Sequence, residues 1–284
     1  MEATVKKYPR WSEATIEVGA TAPFRVLHMS DTHLTDADER DDERKLRLAE
    51  ARVNYFKNAN LMIEEASAYS KQEGIPILHT GDLIDFVSWK NLDRARAFYE
   101  SNDVFMAAGN HEFSLYVGEA FEDAAYREQS LEKVQACFKN DIRFSKREIG
   151  GVNFVALDNS YYLVDEWQLD ALKAVVAEGK PVVLLVHTPL YCEALYNYET
   201  VERKADNAGL MAVPEEKMQG YNEYRFRQQK ADEVTLRAYD YICNEPGIRA
   251  ILAGHLHANA EYAINDRLTQ YLVGCTGLRV VTFQ

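Results

Sequence analysis

The chain has 284 residues, 47% of them hydrophobic, and a formal net charge of −13. That is enough apolar material for one large core, so residues 1–284 read as a single domain. The acidic balance disfavours nonspecific binding to nucleic-acid backbones or anionic lipid, and no run approaches the roughly 18–20 apolar residues that span a bilayer.

Met1–Gly19 is polar and mixed in charge, without the apolar core of a signal peptide. The first strand is expected at Pro23–Ser30, with Asp31 and His33 just after it. Asp36–Glu43 reads as a solvated helix start. From Asp41 to Gln72, apolar residues recur at Leu46, Ala49, Val53, Phe56, Leu61 and Ile63, which predicts one long helix stopped by Gly74. A strand over Ile75–Thr80 leads into Gly81-Asp82. A helix over Ser88–Ser101 and a strand over Asp103–Ala108 lead into Gly109-Asn110-His111. Glu119–Lys139 reads as an amphipathic helix, Val152–Asp158 as a strand and Glu166–Glu178 as a helix. Pro181–Val186 is a strand ending in His187, and Arg249–Ala253 one ending in Gly254-His255. Gln270–Gly274 and Leu278–Phe283 read as closing antiparallel strands. Alternating strands and helices imply an α/β fold in which helices cover sheets. The cysteines Cys137, Cys192, Cys243 and Cys275 form no C-x-x-C and suit small buried hydrophobes in a reducing compartment, so the cytoplasm is the expected location.

Five polar clusters follow these strands: Asp31-Thr32-His33, Gly81-Asp82-Leu83-Ile84-Asp85, Gly109-Asn110-His111-Glu112, His187, and Gly254-His255-Leu256-His257. Singly, each is an ordinary turn sequence, and His28 and His79 read as core histidines. Together they place metal-ligand residue types at the carboxyl ends of strands, where open α/β sheets bind ligands. Imidazole, carboxylate and amide oxygen suit zinc, iron and manganese. His255 and His257, two residues apart, would stand on one face of an extended backbone, about 6.5 Å apart. Gly81, Gly109 and Gly254 permit tight turns before the ligands.

The order Asp-x-His, Gly-Asp-x-x-Asp, Gly-Asn-His-Glu/Asp, a lone His and Gly-His-x-His resembles the calcineurin-like metallophosphoesterases, and all five blocks stand here without substitution. The resemblance implies a four-layer α/β/β/α sandwich with two central mixed sheets. It implies two transition-metal ions (Mn, Fe or Zn), one held by Asp31, His33 and His257 and the other by Asn110, His187 and His255. Asp82 would bridge them, since a carboxylate can offer one oxygen to each of two ions about 3.5–4 Å apart. A hydroxide between the ions would attack phosphorus, and His111 would protonate the leaving group. Asp85 and Glu112 would orient histidines. Two divalent ions against two aspartates leave the core cationic, so it attracts phosphate despite the acidic surface.

Leu190–Arg227 is rich in aromatics and arginines and lies between two ligand blocks, so residues 190–227 are expected to form a cap over the site. Tyr191, Arg225 and Arg227 are its candidate substrate contacts, and Asp158-Asn159, after another strand, is a further candidate for the same rim. The expected function is hydrolysis of a small phosphorylated molecule or nucleotide, as a phosphodiesterase or phosphomonoesterase. The alternative is a noncatalytic scaffold on the same fold, against which the intact ligand set and His111 argue.

Overall fold

Strands that are apolar on both faces need cover on both faces, and β2 (Phe24–Met29), β3 (Ile77–His79) and β4 (Val104–Met106) are of this kind. The computed structural model describes residues 10–284; Met1–Pro9 of the N-terminal stretch lie outside the described residues. The three strands run parallel in one sheet, which β11 (Leu278–Phe283) and β1 (Trp11–Ile16) complete in the order β1-β11-β2-β3-β4.

A second sheet takes the order β5-β6-β7-β8-β10-β9. Its members are β5 (Phe144–Ile149), β6 (Val152–Leu157), β7 (Val182–Leu185), β8 (Ile248–Ala253), β9 (Ala260–Ala263) and β10 (Thr269–Leu272). From β6 to β10 the neighbours are parallel, and the outer strands β5 and β9 are antiparallel to theirs. The two strands expected to close the chain as an antiparallel pair are divided between the sheets. β10 lies parallel to β8, and β11 lies antiparallel to β2.

Between the sheets Val26, Leu78, Phe105, Phe154, Val183, Leu252, Val281 and Phe283 form one buried layer. Outside the first sheet lie α2 (Ala59–Glu73) and α3 (Trp89–Ser101), which bury Met62, Ala66, Leu92, Ala95 and Phe98 against it. Outside the second lie α6 (Glu166–Val176) and α9 (Glu233–Asn244), burying Leu169, Leu172, Ala238 and Ile242. The result is the four-layer α/β/β/α sandwich.

Two expected helices are broken. Asp41–Gln72 contains α1 (Glu43–Arg52), a turn over residues 53–58, and then α2. The turn brings the Phe56 ring flat onto His33, with centroids 3.9 Å apart and planes 12° apart, while Arg52 reaches Asp85. These long-range contacts override an unbroken apolar period. Glu119–Lys139 holds only two single turns, α4 (Ala124–Glu128) and α5 (Leu131–Gln135). The Asp123 side chain caps the first by accepting the Tyr126 N–H, and the Ser130 hydroxyl donates to the Phe113 carbonyl just before the second.

Candidate metal centre

The five clusters leave the carboxyl ends of β2, β3, β4, β7 and β8, so both sheets feed one rim. Their backbone is unusual. Asp31, His33, Asp82, His255 and His257 have φ of 53°, 51°, 58°, 68° and 52°. A non-glycine residue in this left-handed region costs about 1–2 kcal/mol, and it persists only where the surroundings hold it. His255 and His257 therefore do not stand on an extended strand as expected. They lie on a tight left-handed turn in which the Leu256 N–H donates to the Gly254 carbonyl at 2.8 Å.

Hydrogen bonds hold these turns. The Glu112 carboxylate, fully buried, accepts the N–H groups of Asp82 (2.7 Å), Leu83 (2.8 Å), Ile84 (3.2 Å) and Gly109 (2.7 Å). It thus positions backbone rather than a histidine, which corrects the sequence expectation: four N–H groups left without helical or strand partners surround it. The Asp31 carboxylate accepts the His255 N–H at 3.0 Å, tying the first sheet to the second. A Cβ at Gly109 would collide with the Asp82 carboxylate, and one at Gly254 with the Ser30 hydroxyl and then the Asp31 carboxylate, so close approach rather than turn geometry requires glycine there.

The side chains converge in a way that fixes their protonation. The ring of His33 donates from Nδ1 to Asp85 Oδ1 at 2.9 Å, leaving Nε2 to face inward. The ring of His187 donates from Nδ1 to the Thr80 carbonyl at 2.8 Å, with the same consequence. Their Nε2 atoms stand 3.5 and 3.2 Å from Asp82 Oδ2. His257 Nε2 lies 3.1 Å from His33 Nε2 and 3.5 Å from Asp31 Oδ1, and His255 Nδ1 lies 3.1 Å from His187 Nε2. Only one Asp82 oxygen faces these rings; Oδ1 accepts the His111 N–H at 2.9 Å. Asn110 is 8% exposed, and its buried Oδ1 has no hydrogen-bond partner.

Such a basin fits cations. Two carboxylates, inward-facing ring nitrogens and a partnerless amide oxygen form a donor set with few protons to satisfy it. Three groups, Asp31–His33–His257, His33–Asp82–His111 and Asp31–Asp82–His187, each bring their donor atoms within 4.8 Å of one another. Burial lowers the basicity of His33, His255 and His257, favouring the neutral rings that metals take. Asp82 is held well below the usual carboxylate range: burial opposes this, but His187, His111 and His33 outweigh it.

His111 stands at the edge of the basin. Its Nδ1 donates to the Asp85 carbonyl at 2.6 Å, and its ring meets His33 edge-on with centroids 4.7 Å apart. Against the lowering effect of burial, Asp82 and Asp85 push it up to about 10. Asp85, fully buried, touches both histidines and receives two hydrogen bonds from Arg52 at 2.6 and 2.8 Å.

A cavity of about 410 Å³ opens over the basin. Asp82, Asn110, His111, His255 and His257 line its inner end, and Glu122, Tyr162, Arg203, Asn207, Tyr224 and Arg225 its walls. Of the candidate substrate contacts, Arg225 lines this cavity. Arg227 does not: it covers the Phe121 ring in a separate surface pocket. Tyr191 is also elsewhere, donating to Glu193 and packing on the core of the second sheet. His28 and His79 are fully buried, bonded to Thr80 and Thr32.

Several residues of the site carry no motif. The Asn159 side chain accepts the N–H groups of His187 and Thr188 at 3.1 and 3.0 Å, fixing the turn after β7. Asp158 instead pairs with Arg143 at 2.6 Å, away from the basin. Tyr162, itself at φ 66°, places its hydroxyl 2.9 Å from His255 Nε2. It follows β6 by only a few residues, so its position at a strand end was the available signal.

Carboxylates and imidazoles converging at the rim of two packed mixed sheets define a metal-binding hydrolase. Residues 24–259 match the family model of the calcineurin-like phosphoesterases, and the chain belongs to that family. It is a phosphoric ester hydrolase. No curated protein matches the chain. Among solved structures it is similar to a dimetal phosphatase from Danio rerio, at 14% identity over 89% of this chain and 88% of that one, TM-score 0.48. It is also similar to a phosphopantetheinyl hydrolase from Mycobacterium tuberculosis, at 11% identity, 92% and 90% coverage, TM-score 0.44. A 5'-nucleotidase from Candida albicans matches at 11% identity over 96% of this chain and 48% of that one, TM-score 0.41. Among the described residues no helix is long and apolar enough to cross a membrane.

Proposed function

We propose that the protein hydrolyses a small phosphate ester, a phosphomonoester or phosphodiester of nucleotide size, at a dinuclear centre of manganese, iron or zinc. Asp31, His33 and His257 would hold one ion, Asn110, His187 and His255 the other, with Asp82 between them. The observation that carries this reading is Asp82 Oδ2, which faces the Nε2 atoms of His33 and His187 at 3.5 and 3.2 Å, one ring from each sheet. When bound, the ions would supply a cationic seat for the phosphoryl oxygens and a lowered pKa for water.

The chain's own residues do the rest. Asp85 holds His33 and His111 in place through its carboxylate and carbonyl. His111, held beside the basin by its hydrogen bond to the Asp85 carbonyl, is the donor for the leaving oxygen. Residues 190–227 act as a cap within a single domain: Arg203, Asn207, Ala208, Gly209, Tyr224 and Arg225 come from this segment and wall the cavity. A volume of about 410 Å³ suits a small molecule.

The deciding experiment is hydrolysis of bis-p-nitrophenyl phosphate against p-nitrophenyl phosphate by metal-stripped protein reconstituted with Mn²⁺. Metal-dependent turnover supports the reading, and the preferred ester separates diesterase from monoesterase. Protein that neither binds metal nor turns over either ester sinks it.

A second test concerns protons. In metal-free protein His187 is raised to about 9: burial lowers it, but Asp82 outweighs that. The shift is upward, so below that value the ring carries a proton, and it is Nε2 that must lose it on coordination. Titrating Mn²⁺ at about pH 7.5 in Pipes and in Tris should therefore give different heats, reporting proton release. Equal heats in the two buffers would mean that His187 binds without losing a proton or does not bind, and metal analysis of His187→Ala separates the two.

A further inference from the structure

The Asn110 amide is held from outside the family's motifs. Its Nδ2 donates to Glu122 Oε1 at 3.3 Å, while its buried Oδ1 has no partner, and the residue lines the cavity with Asp82 and His255. The other carboxylate oxygen, Oε2, accepts from Gln228 Nε2. Gln228 Oε1 in turn accepts from Arg225 Nη1 at 2.6 Å. Gln228 is 2% exposed and sits, like Arg225, on α8 (Glu223–Gln229). Glu122 precedes α4. Nothing in the five ligand blocks requires either residue.

We infer that Glu122 and Gln228 are positioning residues, a hydrogen-bond relay through which the cap helix α8 sets the amide of Asn110 for its ion. This rests on the reading of Asn110 as a ligand. The relay has a direction. Arg225 can only donate, so Gln228 must present its oxygen to Arg225 and its nitrogen to Glu122. Glu122 has no proton to offer when ionised, so it accepts at both oxygens, and Asn110 must present its nitrogen to Glu122 and its oxygen to the site. The orientation of the ligand amide is thus set by Glu122, and that of Gln228 by Arg225, a guanidinium three side chains from Asn110 that lines the substrate cavity. An amide without such a fixed partner could present either its oxygen or its nitrogen to the ion, and only the oxygen is a ligand.

The logic yields a test that charge alone cannot pass. In Glu122→Gln the new amide must accept from Asn110, so its NH₂ meets the NH₂ of Gln228. Turning Gln228 over moves the clash to Arg225. The single variant is frustrated at one joint or the other. The exchanged pair Glu122→Gln with Gln228→Glu restores every joint: Gln at 122 accepts from Asn110 and donates to Glu at 228, which also accepts from Arg225. The net charge is the same as in the starting protein.

The experiment is Mn²⁺ binding by calorimetry, with the melting temperature of the metal-free protein measured in parallel. Glu122→Gln should weaken one of two ions by about 10–100-fold, leave the other near its starting affinity, and lower kcat more than it changes KM. The exchanged pair should return affinity and kcat to near the starting values. If the exchange rescues neither while melting is unchanged, Glu122 acts only as a nearby charge and the relay is wrong. If Glu122→Gln binds both ions as tightly as the starting protein, the relay is wrong although the dinuclear site stands. Starting protein that binds no Mn²⁺ overturns the metal reading itself and the relay with it.

Discussion

Asp82→Asn is expected to cost the protein tight binding of both ions and nearly all turnover. Asp82 Oδ1 must accept the His111 N–H at 2.9 Å, so an asparagine here keeps its oxygen on that bond. Its NH₂ then occupies the Oδ2 position, between the Nε2 atoms of His33 and His187. A donor would stand where both ions need an oxygen, and one negative charge would be gone. Losing several kcal/mol of charge stabilisation corresponds to a rate loss of about 10³-fold or more. Metal analysis after gel filtration checks the first part, and kcat on the preferred nitrophenyl ester the second. Two ions still tightly held by Asp82→Asn would take this residue out of the bridging position.

His111→Gln is expected to do the opposite: keep the ions and lose the rate. The ring meets the Asp31–His33–His257 set only edge-on at His33, and its N–H to Asp82 is from the backbone, which the substitution leaves alone. What disappears is a proton donor beside the basin, worth about 10²–10⁴ in rate. The loss should be large for an alkyl ester, whose leaving oxygen needs a proton, and smaller for a nitrophenyl ester, whose leaving group is stable as an anion. A nearly normal kcat on the alkyl ester, with both ions bound, would show that the proton comes from elsewhere. Loss of metal would instead assign His111 to the ligands, as its nearness to His33 and Asp82 in one 4.8 Å group allows.

The strands that carry the site were legible because each is a short apolar run buried on both faces and stopped by a polar cluster. Those that escaped reading are the outer strands β1, β5 and β9, whose alternating or polar residues match exposed edges rather than a buried run. The ligand types could be read from spacing and order, since the chemistry demands particular side chains. Their support could not. Arg52 and Phe56 sit in a stretch whose apolar period reads as uninterrupted helix, and only the contacts to Asp85 and His33 explain the break. Glu122 and Tyr162 touch the ligands Asn110 and His255 through hydrogen bonds, and a single sequence records no such pairing. The αL geometry of His255 and His257 was equally hidden, because a Gly-His-x-His string fits an extended strand as well as a turn.

The order of strands in the first sheet carries a consequence for synthesis. β11 lies between β1 and β2, yet β2 ends at Met29 and β11 begins at Leu278. While a ribosome is still delivering the second sheet, β1 has no neighbour to pair with and β2 shows an open edge. Asp31 to Asn110 emerge with that unfinished sheet, and their partners His255 and His257 appear just before the strand that closes it. Assembly of the basin and closure of the sheet therefore fall together, once β8 to β11 have emerged. A nascent chain stalled before β8 would expose an unpaired apolar edge and a metal seat lacking His255 and His257, a form for chaperones to shield.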